Sequence, residues 1–164
     1  MQNGTALRFE DVIVKYKETV YGLALSHLNS KADADDVFQE TFLLYHRKAP
    51  VFENESARKA WLVRTVLNLC RGMNYSPWNT RVDKEPDAGA DVAVRFSSRE
   101  ENDVWAAVRS LDAKYRTVVY LFYFEEMSAR EIADAAGISE FAVMKRLSRA
   151  RKKLRTKLEG DHFG

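Results

Sequence analysis

Lys145, Arg146, Arg149, Arg151, Lys152, Lys153, Arg155 and Lys157 crowd residues 145–157, and no acidic residue interrupts them. Cations at that density neutralise phosphates, and phosphate contacts give nucleic-acid binding both its affinity and its steep dependence on salt. The whole chain conceals the cluster, because 26 Lys and Arg against 24 Asp and Glu leave a formal net charge of only +2. Other chemistries lack their residues. His27, His46 and His162 share no metal-ligand spacing with one another or with Cys70. The phosphate loops GxGxxG and GxxxxGK[ST] and the nucleophile elbow GxSxG are absent. Asp33, Asp35 and Asp36 could suggest a magnesium site, but acidic residues at a helix start complement the helix dipole and explain them more simply. No metal, cofactor or small-molecule substrate is expected, and the chain reads as a non-enzyme. Cys70 reads as a small apolar residue rather than a reactive thiol.

The elements that must carry the cations are legible from position 127 onward. Ser128 with Glu131 three residues later is a capping box, so a short helix starts at Ser128. Gly137 supplies the positive φ of a tight turn, and Ser139 caps a second, longer helix. Val143, Leu147, Ala150 and Leu154 form the core face of that second helix, against Ile132, Ala133, Ala136 and Ile138. Short helix, glycine turn and long helix make a helix-turn-helix, whose second helix can enter a DNA major groove. Phe141, Lys145, Ser148, Arg149 and Lys152 then point away from the core face, with Arg146 and Arg151 at the flanks. A basic helix end can also do no more than complement the helix dipole, and helix-turn-helix geometry also serves protein contacts.

Upstream, Phe9, Val12, Ile13, Tyr16, Val20, Leu23, Ala24 and Leu28 recur at helical spacing, and a second helix is expected from about Asp33 until Pro50 stops it. A third is expected over about Ser56 to Arg71, with Ser56 as its N-cap and Trp61 in its core. VVYLFYF at 118–124 reads as a buried helix, since no second strand exists to pair with it. From Gly72 to about Ser97, turn residues and scattered charges break the period. The reading is therefore all-α, two small helical domains over residues 1–75 and 99–164 joined by a linker over 76–98. Each domain is small enough for an isolated core to be marginal, so docking on a larger partner is expected. With 164 residues, 46% hydrophobic and 30% charged, one cysteine and no apolar run long enough to span a bilayer, the expected compartment is the cytoplasm.

At this point the residues resemble a known family. SAREIADAAGIS followed by AVMKRLSRARKKLR is similar to region 4 of the extracytoplasmic-function sigma factors, the two-domain specificity subunits of bacterial RNA polymerase within the sigma-70 family. ADADDVFQETFL resembles their region 2.2 helix, and AWLVRTVLNLCR resembles regions 2.3 and 2.4, in the same order around a linker. The resemblance implies transcription initiation at chosen promoters, in response to a stress or envelope signal, with an anti-sigma factor as a further partner. It implies that Asp36, Gln39, Glu40 and Leu43 dock on the clamp coiled coil of the polymerase largest subunit. Phe52, Asn54, Arg58, Lys59, Arg64, Asn68 and Arg71 would handle the opened minus-10 strand. Ser139, Phe141, Lys145, Arg146, Ser148, Arg149 and Lys152 would read the minus-35 element.

Two places depart from the family pattern. Where many members carry an Asp and then a basic cluster after Asn68, this chain has Gly72, Met73, Asn74 and Tyr75, and Phe141 and Ala142 stand where a small residue and Thr are common. Two other functions fit the residues alone. One is a stand-alone helix-turn-helix regulator that prefers a two-fold symmetric site; the other, disfavoured by the missing catalytic groups, is an enzyme acting on nucleic acid.

Overall fold

The structure is a computed structural model that describes residues 7–74 and 99–163, so the expected linker at 76–98 and Tyr75 lie outside the described residues. The described residues form seven α-helices: α1 Phe9–Leu28, α2 Lys31–Lys48, α3 Glu55–Asn74, α4 Arg99–Arg109, α5 Ala113–Val119, α6 Ala129–Ala136 and α7 Glu140–Phe163. A π-helical turn, Tyr120–Phe124, continues α5. Among the described residues there is no strand, and the fold is all-α.

Local chemistry sets most boundaries. α1 ends where Asn29 takes φ 54° and its N–H bonds Leu25 O. Ser30 then caps α2, its Oγ accepting from the Asp33 N–H at 3.3 Å, so this helix starts at Lys31, slightly before the expected Asp33. α2 closes at Ala49, φ 44°, immediately ahead of Pro50. The expected cap at Ser56 is corrected: the Asn54 Oδ1 accepts the Ala57 N–H at 2.8 Å, and α3 begins at Glu55. Asn has the better geometry there because its carbonyl reaches the third N–H from one residue outside the helix.

VVYLFYF is helical as expected, and its burial follows the helix: Val118, Val119, Tyr120 and Leu121 lie inside, whereas Tyr123 is exposed. α1, α2 and α3 bury Val12, Val20, Leu23, Val37, Phe42, Leu62, Val66 and Leu67 together. α4, α5, α6 and α7 do the same with Trp105, Val108, Leu121, Ile132, Val143 and Leu147. These sets belong to one continuous core, because α5 packs on α1 and α6 packs on α3. The two halves thus dock on each other.

Arg116 is one polar link in that docking. It is buried, its Nε and Nη2 donate to Ser26 O and His27 O, and its Nη1 donates to Leu111 O. Ser26 and His27 lie in the last turn of α1, whose carbonyls have no partner within the helix, so a guanidinium from the other half of the chain caps α1. Beside it, His27 Nδ1 lies 2.7 Å from Thr117 Oγ1. Burial first, then the Arg116 and Arg71 charges, push the His27 imidazole down to about 4. Among the described residues no helix is long and apolar enough to cross a membrane.

Candidate nucleic-acid interface

The turn between α6 and α7 is built as its residue types dictate. Ser128 Oγ accepts the Glu131 N–H at 3.1 Å while Glu131 Oε1 accepts the Ser128 N–H at 2.8 Å, closing both sides of the capping box. Gly137 takes φ 74° and donates its N–H to Ala133 O at 2.9 Å. A Cβ added there would meet nothing within 4 Å, so glycine is favoured by the backbone conformation and not by space. Ser139 Oγ accepts the Ala142 N–H at 3.0 Å and starts α7. Val143, Leu147 and Ala150 are fully buried against Ile132, which fixes the roll of α7 about its axis.

That roll leaves the expected face outward. Phe141, Lys145, Ser148, Arg149 and Lys152 are exposed, Ser139 is exposed at the helix start, and Arg146 is half-buried. Among the described residues no ion pair involves α7. Arg151 is different, since its Nε donates to Tyr123 Oη at 2.6 Å and its guanidinium sits 5.8 Å from the Phe122 and Tyr123 rings. It ties α7 to the π-helical turn.

The candidate strand-binding groups of the N-terminal half divide differently. Arg58 is corrected: it is 1% exposed, its Nε donates to Tyr45 Oη at 3.1 Å, and its Nη1 pairs with the Glu55 carboxylate. A side chain in that position holds the core and is out of reach of a nucleic acid. Phe52 is half-buried, ring to ring with Tyr45 and Trp61 and 5.4 Å from the Arg58 guanidinium. Trp61 is likewise half-buried against Tyr45. Asn54 is exposed, with its carbonyl engaged in the cap of α3. Lys59 Nζ donates to Glu125 O at 2.8 Å and pairs with Glu125 Oε1 at 3.2 Å. Arg71 donates to Ala136 O at 3.1 Å and to Asn68 Oδ1 at 2.5 Å. Arg64 and Asn68 are exposed.

Glu125 went unnoticed in the sequence. Its carboxylate accepts Thr19 Oγ1 at 3.0 Å and Tyr120 Oη at 3.1 Å besides holding Lys59. Glu125, Glu126, Glu131 and Asp134 share a cleft of about 260 Å³ with Lys59 and Arg64, so acidic groups of one half face cations of the other. The available signal was the Glu125–Glu126 pair directly after an apolar helix, where Glu126 turns the chain at φ 55°.

The α2 residues do come together. Asp36, Gln39 and Leu43 are exposed, Glu40 is half-buried, and all four line a groove of about 320 Å³ with Val37, Leu69 and Met73. An acidic rim around Leu43, Leu69 and Met73 suits a partner helix that offers apolar and basic side chains together. Cys70 is fully buried, and burial pushes its thiol up to about 12, which keeps it protonated and unreactive. Among the described residues no group of His, Cys, Asp and Glu could hold a metal ion.

The family model for Sigma-70 region 2 matches residues 12–73, and that for Sigma-70, region 4 matches residues 101–154. The RNA polymerase sigma factor SigV of Bacillus subtilis is 28% identical over 89% of this chain and 88% of its own length. The ECF RNA polymerase sigma factor SigW of the same organism is 27% identical over 96% and 92%, and the ECF RNA polymerase sigma-E factor of Haemophilus influenzae 27% over 97% and 92%. CnrH, solved in complex with the cytosolic domain of CnrY, superposes with a TM-score of 0.65 at 27% identity, covering 93% of this chain and 88% of that one. The sigma factor RpoE from Bartonella quintana, solved with the anti-sigma factor NepR, gives 0.67 at 23% identity over 92% and 96%, a likeness of fold.

Proposed function

This chain belongs to the sigma-70 family in its extracytoplasmic-function form, and from that premise we propose that it directs bacterial core RNA polymerase to a defined set of promoters. Residues 1–75 bind core and handle minus-10, residues 99–164 read minus-35, and 76–98 link them. The observation that carries the reading is the α7 face: a capped helix-turn-helix turns Lys145, Arg149 and Lys152 outward with no ion pair among the described residues to engage them. Phosphates would take that place, and the side chains of the first turns would meet base edges.

The α2 groove around Leu43 is the docking surface for the clamp coiled coil of the polymerase largest subunit. Minus-10 contacts come from Arg64, Asn68, Phe52 and Asn54, joined by Lys59 and Arg71 where the α6 side is displaced. Arg58 supports that surface from below. The bond-making chemistry is the polymerase's, and the chain acts in the cytoplasm where that enzyme works. An anti-sigma factor under the control of a stress signal is the further partner.

Capture by core RNA polymerase, followed by run-off transcription from promoters randomised at both elements, tests the reading. Core-dependent initiation from a two-part, non-palindromic motif, weakened in Arg149→Ala, is expected. Binding to a palindromic site without core would replace it with a stand-alone regulator.

A further inference from the structure

Phe141 occupies the centre of the outward face of α7 within its first turn, and it is 73% exposed. At roughly 100° per residue it stands opposite Val143 and Ala150, in line with Lys145, Ser148 and Lys152. Lys145 Nζ lies 5.7 Å from the centroid of its ring. A cation over an aromatic face is attracted to it, so the exposed ring and the first outward cation of α7 stand together. Around this tip the hydrogen-bonding side chains are few. Ser139 Oγ already accepts the Ala142 N–H, Ala142 has no polar atom, and Met144, 49% exposed, offers a thioether. Beside the exposed carboxylate of Glu140, the end of α7 that faces base edges presents the apolar ring of Phe141, on a helix whose remaining outward face is cationic.

In the major groove every base pair offers hydrogen-bond donors and acceptors, and the distinctive apolar feature is the C5-methyl group of thymine. A phenyl ring cannot bond the polar edges and would strip water from them without replacement, which disfavours them. We propose that Phe141 is a specificity-determining residue that reads a thymine methyl group in the minus-35 element. This rests on the promoter reading above and adds to it the kind of base the first turn of α7 selects. Lys145 then stands beside the methyl, placed for a neighbouring guanine or phosphate.

Deoxyuridine differs from thymine there by the methyl alone, so it supplies the probe. Holoenzyme made from the full chain and core polymerase selects its minus-35 element from a randomised promoter library. Each thymine of that element, on either strand, is then replaced by deoxyuridine, and binding is compared between wild type and Phe141→Ala, an exposed substitution that leaves the core face of α7 intact. One position is expected to lose about fourfold in affinity on methyl removal, the equivalent of one apolar methyl contact. Phe141→Ala should abolish that difference while keeping the salt dependence of binding. Deoxyuridine neutral at every position, a methyl effect that persists in Phe141→Ala, or a selected element without thymine overturns the assignment to Phe141 and leaves the promoter reading standing. Absence of any minus-35 selection by holoenzyme overturns both.

Discussion

The two faces proposed to meet nucleic acid carry similar side chains in opposite states. On α7, Lys145, Arg149 and Lys152 are exposed on a helix without an ion pair among the described residues, because the core packs on the opposite side, at Val143, Leu147, Ala150 and Leu154. On α3, Arg58 is buried, Lys59 is held by Glu125, and Arg71 donates to Ala136 O and Asn68. The difference lies in what covers each helix. α7 has one side in the core and one in solvent, whereas α3 is packed by α1 and α2 and then met by α6. A cation count therefore measures binding capacity only where nothing else has claimed the cations. In this arrangement the C-terminal half presents its proposed site, and the N-terminal half shares part of its own proposed site with the docked neighbour.

The largest expected effect tests whether that docking is a property of the folded chain. Arg116→Ala leaves the carbonyls of Ser26, His27 and Leu111 without their buried donor and opens a cavity between α1 and α5. Loss of about 3 to 4 kcal/mol in urea-unfolding stability is expected. A loss below about 1 kcal/mol would mean that the halves separate in solution, and the contrast between the faces would disappear.

Acid should act on the same seam. His27 has its pKa lowered to about 4 by burial and by the Arg116 and Arg71 charges. Between pH 6.5 and 4 the unfolded chain binds the proton and the folded chain does not, so stability is complete above pH 6.5 and falls as the pH drops towards 4. The contribution reaches up to about 3 kcal/mol, and His27→Gln should remove this part of the pH dependence. Chemical denaturation at pH 7.5 and pH 4.5 in both proteins measures it, and identical pH profiles would place the imidazole in solvent.

A smaller effect resolves the covered face itself. Glu125→Gln keeps the shape but loses the charge that pairs with Lys59 and weakens the acceptance of Thr19 and Tyr120 hydroxyls, at a cost of about 2 kcal/mol. Lys59→Ala alone should cost less, and a double-mutant cycle should give a coupling of about 1 kcal/mol. Zero coupling would free Lys59 and restore the symmetry between the two faces.

How much of this was readable in the sequence follows from the range of the interactions. Ser128, Glu131, Gly137 and Ser139 act within four residues of their partners, so the helix-turn-helix and its outward face were legible. The buried stripe Val143, Leu147 and Ala150 was legible for the same reason, through its period. The misplaced N-cap, Ser56 for Asn54, is a two-residue error between side chains that cap alike. Arg58 had a usable signal, because it lies four residues before Leu62 and eight before Val66, in register with a buried stripe, but its charge argued for the surface. Lys59 with Glu125, 66 residues away, and Arg116 with Ser26, 90 residues away, had none. Their pairing depends on how two helical units meet, which neither unit encodes in its local pattern. The α2 residues stood in between: spacing put Asp36, Gln39, Glu40 and Leu43 along one side, whereas the groove they share with Leu69 and Met73 exists only once α3 is packed.

The smallest expected effect separates the faces by salt. Lys152 is exposed midway along α7 and in line with Lys145, so as a phosphate contact it releases about one counterion on binding. Lys152→Ala should lower the slope of log affinity against log salt by about 1 for holoenzyme on a minus-35 duplex, with a uniform weakening across sequences and no change in base preference. Lys59→Ala on the same duplex should leave the slope unchanged, because that ammonium faces Glu125 and belongs to the other half of the chain. Equal slopes in wild type and Lys152→Ala would show that exposure on α7 does not amount to phosphate contact. A change in Lys59→Ala would show that the covered face opens when DNA binds, so that the coverage of α3 would describe the free chain alone.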